Sequence, residues 1–343
     1  MPIKVLIVDD SAVVRQILTR ELSKDAGIEV VGAAPDPFIA REKIATLKPD
    51  VLTLDVEMPR MDGITFLRAL MRAHPLPTIV LSSLTPKGSK TAIAALEAGA
   101  IDVVSKPHGS FSVDALGEQL VRTVKMAARS KPVARAVSTE PAISAMAETT
   151  DKIFAIGAST GGVQALTEVI TRFPVNAPGT VIVQHMPANF TKSFADRLNR
   201  ECKVEVCEAK SGDSVFPGRV LLAPGGWHMV LRRSGARYYV EIIDGPQVHH
   251  QKPAVDVLFK SVAQVAGANA IGAVLTGMGA DGAAGLLEMR KAGARTLAQD
   301  EASCVVFGMP MEAIRMNAAE KIVSLTDVAR TMCSMAASSS AAA

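Results

Sequence analysis

The chain has no apolar run fit to span a membrane, no cysteine framework and no large excess of charge of one sign. Its longest uncharged stretch is residues 261–280, but that segment holds four glycines together with Ser261, Gln264, Asn269 and Thr276. It divides into the end of a helix and a buried strand, so insertion into a membrane is rejected. Four cysteines (Cys202, Cys207, Cys304, Cys333) form no C-x-x-C and no framework spacing, which implies reduced thiols and a cytoplasmic location. Lys4, Asp9 and Asp10 come too early for a signal peptide. A formal net charge of +3, with both signs scattered, implies neither nucleic acid nor an anionic membrane as partner. Heptads and internal repeats are also missing, as is the short basic helix-turn-helix segment of a DNA-binding output.

What the chain has is length and alternation. Its 343 residues, at about 150 per domain, imply two domains, each able to bury a core. Residues 3–8, IKVLIV, are a near-continuous apolar run, the mark of a strand buried on both faces of a parallel sheet. Ser11 then caps a helix whose buried stripe is Val14, Ile17, Leu18 and Leu22. Strands over 28–33, 51–54, 78–81 and 101–104 alternate with helices from Asp36-Pro37 and over 64–72, 89–98 and 113–128. This predicts a doubly wound α/β domain over 1–125 with five parallel strands.

In such sheets ligands gather at the C-terminal strand ends. Those ends carry Asp9 and Asp10, Asp55, Ser82 and Ser83, and Lys106-Pro107. Clustered carboxylates repel unless a hard cation such as Mg²⁺ neutralises them, and the cation can hold a phosphoryl group against one carboxylate acting as nucleophile. Asp10 and Asp55 suit direct ligation, Asp9 ligation through water, and Lys106 a point-charge contact to phosphate. The segments VDDS, LDVEMPRMDG, SSLT and SKP resemble the signature of two-component response-regulator receiver domains. That resemblance implies that Asp55 is the phospho-acceptor, Ser82 the switch hydroxyl with Ser83 as the alternative, and Lys106 the phosphate partner. It also implies that Glu57 lends a backbone carbonyl to the metal.

From 130 to 150 apolar periodicity is lost, and residues 126–150 are expected to be a linker. Alternation resumes at IFAIGASTGG, residues 153–162, which reads as strand, tight turn and helix. Gly157, Ser159 and Gly161 fit G-x-S-x-G, a turn that holds a serine hydroxyl out at a strand end. A phosphate-cradling loop is the alternative, although the spacing misses G-x-G-x-x-G and no acidic residue closes a second strand about 20 residues on. Further strands are expected over 180–184, 203–207, 270–276 and 294–298, with a hairpin-like middle built from 220–223, 229–232 and 238–243. Together they predict a mainly parallel α/β domain over 151–335, followed by a disordered tail over 336–343.

The strand-end rule also tests the serine. His185 follows VIVQ directly and Asp281 follows AVLTGMGA, so a nucleophile, a base and a carboxylate to orient the base project at one rim. His228 and the pair His249-His250 read first as loop residues. Asp300 also ends a strand and rivals Asp281, which is favoured because Gly279 and Gly282 flank it and permit close backbone approach. The chain order Ser, His, Asp differs from the Ser, Asp, His of α/β-hydrolases, so the same roles would be arranged separately. Chemistry alone reaches acyl transfer from a small ester or amide.

GASTGG, QHMP and TGMGADG, following a receiver-like segment, resemble the chemotaxis response regulator protein-glutamate methylesterases along nearly the whole chain. The resemblance implies hydrolysis of glutamate γ-methyl esters, and deamidation of glutamines, on methyl-accepting chemoreceptors, with a histidine kinase as phosphodonor. It implies catalysis by Ser159, His185 and Asp281, with Thr160 and the Met278 amide near the oxyanion. It implies Mg²⁺ in the receiver and no cofactor for the esterase. The competing expectation is a receiver-regulated, nucleotide-binding enzyme that uses GASTGG for phosphate.

Overall fold

A computed structural model describes residues 1–58, 61–82, 85–106, 113–130, 143 and 151–338. The chain divides into two compact units, Met1–Val137 and Ser138–Ala343. The first unit runs β1 (Ile3–Val8), α1 (Ala12–Leu22), β2 (Ile28–Ala34), α2 (Pro37–Leu47), β3 (Val51–Asp55), α3 (Gly63–Ala73), β4 (Thr78–Ser82), α4 (Pro86–Glu97), β5 (Asp102–Ser105) and α5 (Val113–Ala127). Its five strands form one parallel sheet in the order β2-β1-β3-β4-β5. Local chemistry starts its helices. Ser11 accepts the Val14 amide at α1, and Asp36 accepts the Phe38 and Ile39 amides ahead of Pro37 at α2, satisfying N–H groups that have no partner inside the helix. Because β1 and β3 pair with Val8 opposite Leu54, the residues that follow them emerge side by side.

The second unit runs β6 (Ile153–Ala158), α6 (Gly162–Ile170), β7 (Gly179–Gln184), α7 (Phe190–Glu201), β8 (Glu205–Glu208), β9 (Ser214–Val215), β10 (Arg219–Leu222), β11 (His228–Ser234), β12 (Arg237–Ile243), α8 (Val255–Val265), β13 (Ala270–Val274), α9 (Ala283–Lys291), β14 (Arg295–Gln299), α10 (Met309–Arg315), β15 (Lys321–Val323) and α11 (Leu325–Ser338). Seven strands make a parallel sheet in the order β15-β14-β13-β6-β7-β10-β8, and β11, β12 and β9 make a separate antiparallel one. β6 lies at the centre and is buried on both faces. One face presents Ile153 and Ala155 to a core shared with Leu258, Phe259 and Val262 of α8 and with Met229 and Leu231 of β11. On the other, Phe154 meets Phe173 at 5.5 Å between ring centroids. Each such fully buried Phe or Leu contributes about 1.5–3 kcal/mol, which anchors β6 in the scaffold.

Three details differ from the sequence reading. Residues 220–223, expected in a hairpin-like middle, belong to the main sheet: β10 is inserted between β7 and β8, and only β11 and β12 form the hairpin. Residues 336–338, expected to open a disordered tail, continue α11, where Ala336 is buried beside Met332 and Met335. Met126 and Ala127, covered both by the helix expected over 113–128 and by the expected linker, are the last turn of α5 and are buried. Residues 131–142 and 144–150 of the linker, 339–343 of the tail, and Ser83 and Pro107 lie outside the described residues. Among the described residues no helix is long and apolar enough to cross a membrane.

Candidate functional site

The sheet order decides which strand ends share a rim. β6 lies between β13 and β7, so Ser159 leaves the central strand with His185 on one side and the residues after β13 on the other. The His185 amide donates to the Ala158 carbonyl at 3.1 Å, and the Ser159 amide to the Thr276 carbonyl at 3.0 Å, which ties the three strand ends together. Gly161 sits at φ 77°, the left-handed region that favours glycine, and lets the chain turn from β6 into α6 within three residues. Gly277 passes so close that a Cβ there would lie 2.6 Å from Ser159 Cβ and 2.4 Å from Met309 Sδ. Ser159 is thus held against the Gly277 backbone on one side, and its carbonyl accepts the Gly162 amide at the start of α6 at 2.7 Å.

His185 Nε2 lies 2.7 Å from Asp281 Oδ2, and both side chains are buried. A carboxylate can only accept, so Nε2 carries the proton and Nδ1 keeps its lone pair. Nδ1 is buried and has no hydrogen-bond partner. It is therefore a buried base without a proton source of its own, on the strand end next to Ser159. Asp281 takes two further donors, the Val255 amide at 2.7 Å on Oδ2 and the Asp256 amide at 2.9 Å on Oδ1, both from the first turn of α8. Burial pushes the Asp281 carboxyl up, but the bond and charge of His185 and the two amides outweigh it and hold it below the usual aspartate range. The carboxylate stays ionised and fixed.

Asp300, the rival, is bound into its own turn, where Oδ1 accepts from the Ser303 amide at 3.0 Å and hydroxyl at 2.5 Å. His228, expected in a loop, instead begins β11 and is buried, with Nε2 2.9 Å from the Pro246 carbonyl and Nδ1 accepting the Ala254 amide at 3.2 Å. Its two ring nitrogens are both engaged, which makes it a structural residue. Thr160 is buried directly after Ser159, and Met278 is half exposed after β13. One residue at this rim escaped the sequence reading: Asp256, buried, which accepts the Gly282 and Gly285 amides and meets His249.

The first unit gathers its own set. Lys106 Nζ lies 2.6 Å from Asp55 Oδ2 and 3.1 Å from Asp9 Oδ2. Carboxylate oxygens of Asp9, Asp10 and Asp55 lie within 4.8 Å of one another. Asp9 Oδ1 accepts the Ser11 amide and Asp55 Oδ1 the Glu57 amide, which leaves Asp9 Oδ2 buried with Lys106 as the one positive charge described beside it. Burial pushes the Asp9 carboxyl up; Lys106 offsets part of this, and Asp55 adds to the rise. Burial pushes Lys106 down, but its bonds to Asp55 and the charges of Asp55 and Asp9 raise it overall. One ammonium among three carboxylates leaves the cluster short of positive charge, and a divalent cation fits that deficit. Ser82 ends β4 and is fully buried, with its hydroxyl donating to the Gly88 carbonyl at 3.0 Å.

Comparison with known proteins matches the two halves of the chain to two families. A family model described as CheB methylesterase matches residues 154–332, and one described as response regulator receiver domain matches residues 5–116. The protein-glutamate methylesterase/protein-glutamine glutaminase 2 of Syntrophus aciditrophicus (strain SB) is 59% identical over 333 residues, covering 95% of this chain and 97% of that protein. The protein-glutamate methylesterase/protein-glutamine glutaminase 4 of Anaeromyxobacter dehalogenans (strain 2CP-C) is 56% identical over 331 residues, covering 95% and 93%. Among solved structures, the Thermotoga maritima CheB methylesterase catalytic domain is 35% identical with a TM-score of 0.53, and the match covers 54% of this chain and 99% of that domain.

Proposed function

Because the chain belongs to the CheB methylesterase family, with a response regulator receiver domain ahead of the catalytic part, we propose that Ser159, His185 and Asp281 carry its chemistry. The protein is a carboxylic ester hydrolase, a protein-glutamate methylesterase with protein-glutamine glutaminase activity, and it serves chemotaxis. Its substrates are the glutamate methyl esters and glutamines of methyl-accepting chemoreceptors. It acts in the cytoplasm.

Ser159 Oγ attacks the γ-carbonyl carbon while His185 Nδ1 takes its proton, and Asp281 stabilises the imidazolium through Nε2–H. The oxyanion develops beside the N-terminus of α6, where the helix dipole favours negative charge, with Thr160 and the Met278 amide adjacent. The imidazolium then protonates the departing methoxide, and methanol leaves an ester on Ser159. Water, deprotonated by Nδ1, attacks that ester and releases the glutamate carboxylate and the serine. With glutamine as substrate the leaving group is ammonia. The observation that carries this reading is the His185–Asp281 bond of 2.7 Å, with Nδ1 left buried and unpartnered at the strand end beside Ser159. A phosphate loop would give that imidazole–carboxylate pair no task.

In the receiver, Asp55 accepts the phosphoryl group of a histidine kinase, Lys106 pairs with the new phosphate, and Ser82 turns toward it as the switch hydroxyl. Asp9, Asp10 and Asp55 would hold Mg²⁺, which screens the carboxylates from the incoming phosphoryl oxygens.

The test measures methanol released from a methylated receptor fragment. Ser159→Ala and His185→Ala should each lower the rate by on the order of 10³-fold or more, and the double variant should add little because the residues act as a unit. An active Ser159→Ala protein, or losses that multiply, would overturn the assignment.

A further inference from the structure

Asp256 and His249 lie outside the triad but form its outer support. Asp256 stands in the first turn of α8 and reaches across to the start of α9, where Oδ1 accepts the Gly282 amide at 3.0 Å and the Gly285 amide at 2.7 Å. In return, α8 donates its first amides, Val255 and Asp256, to the Asp281 carboxylate. The two helices therefore cap each other, and one cap is the triad carboxylate itself. Asp256 grips Asp281 at both ends: its own N–H holds Oδ1, and its carboxylate holds the amide of the residue that follows. The remaining oxygen, Oδ2, lies 3.2 Å from His249 Nε2. The His249 side chain is 45% exposed, at a backbone φ of 52°, which is uncommon for a residue with a Cβ. A strained loop residue that meets a buried carboxylate is over-determined by its surroundings.

We propose that Asp256 is a positioning residue for methylester hydrolysis, setting the place of Asp281 Oδ2 against His185 Nε2, and that His249 holds Asp256 from the solvent side. The proposal rests on the assignment of Asp281 to the triad. Without the Asp256 carboxylate, the Gly282 and Gly285 amides lose their acceptor and the 281–282 backbone is freed, while the α8 amides still reach Asp281. The carboxylate then wanders from Nε2, and displacements below 1 Å are costly in a site of this kind. A cap that only steadied α9 would lower thermal stability and leave the bound substrate's turnover alone.

The experiment uses the full chain with a methylated receptor fragment as substrate. Asp256→Ala should lower kcat by roughly 10- to 100-fold with KM nearly unchanged. In an Asp281→Ala background the same change should cost nothing further, because its effect passes through Asp281. Asp256→Asn keeps a carbonyl for the two glycine amides and should recover most of kcat. His249→Ala, a change at an exposed loop that keeps the fold intact, should lower kcat several-fold. Equal losses in both backgrounds, or unchanged kcat in folded Asp256→Ala or His249→Ala, would overturn the proposal. Should Asp256→Ala fail to fold, the His249→Ala result decides. A fully active Ser159→Ala protein would instead overturn the triad reading, so the two failures are distinct.

Discussion

Asp281→Asn separates two things the carboxylate does: it fixes which nitrogen of His185 carries the proton, and it supplies the negative charge beside it. Three donors point at its two oxygens: His185 Nε2 and the Val255 amide at Oδ2, and the Asp256 amide at Oδ1. An asparagine must turn its NH₂ toward one side. Placing it at Oδ2 would oppose the Val255 N–H and force His185 to move its proton to Nδ1, destroying the base. Placing it at Oδ1 opposes only the Asp256 N–H and keeps the Nε2–H bond. The second orientation has one clash and no tautomer change, so it should win. The charge is still lost. For unit charges about 4 Å apart at an effective dielectric constant near 20, that is about 4 kcal/mol of imidazolium stabilisation at most, or roughly 10²- to 10³-fold in rate. A triad whose imidazole is turned to the wrong tautomer loses about 10⁴. The opposed amide should also cost about 1–3 kcal/mol of stability.

The pH dependence gives an independent check. Asp281 is held below its ordinary value, so its ionisation adds stability that is fully present above an unfolded value of about 3.9 and is lost as pH falls through the lowered one. Asp281→Asn should lower Tm at pH 7 and flatten the acid side of the stability curve. Methanol release at pH 7, with Tm measured from pH 2 to 7, tests both statements. Wild-type activity would refute the role of the carboxylate. A loss of 10⁴ or more in a folded protein would refute the orientation argument.

Asp55→Asn should abolish labelling by a small phosphodonor in the presence of Mg²⁺, and chelation of Mg²⁺ should do the same to the wild type; equal labelling of the variant would move the acceptor elsewhere. Gly277→Ala places a Cβ within 2.6 Å of Ser159 Cβ and 2.4 Å of Met309 Sδ, so it should lower esterase activity by at least about 10²-fold while the receiver still takes up phosphate. Undiminished methanol release from that variant would mean that the Ser159 turn yields without cost.

Both sets of strand ends were readable because strands buried on both faces are unbroken apolar runs with abrupt polar ends. IKVLIV before Asp9 and IFAIGA before Ser159 show this directly. Sheet order was less readable. β10 lies between β7 and β8 through crossovers that no local pattern encodes, so its short run between turns resembled hairpin material. His228 follows two glycines and Trp227, which reads as loop, although its ring is satisfied from residues 246 and 254. Asp256 could not be found at all: it looks like an ordinary first-turn acid, and the partners that tie it to Asp281 and α9 lie 25 to 29 residues away. The chain after residue 299 gave weak signals because α10 spans seven residues around Pro310 and β15 is largely exposed.

The spacing of the two sites along the chain sets the order in which a ribosome can deliver them. Asp9, Asp55 and Lys106 all lie in the first 106 residues, whereas Asp281 closes the esterase rim with β13 from far downstream. At a synthesis rate of about 5–20 residues per second, the phosphoacceptor pocket has emerged roughly 10–35 s before the last triad member. A nascent chain can thus present a complete receiver while β6 and β7 still wait for the strand that pairs on the far side of β6. Esterase activity therefore reports the finished chain, and competence for phosphorylation does not.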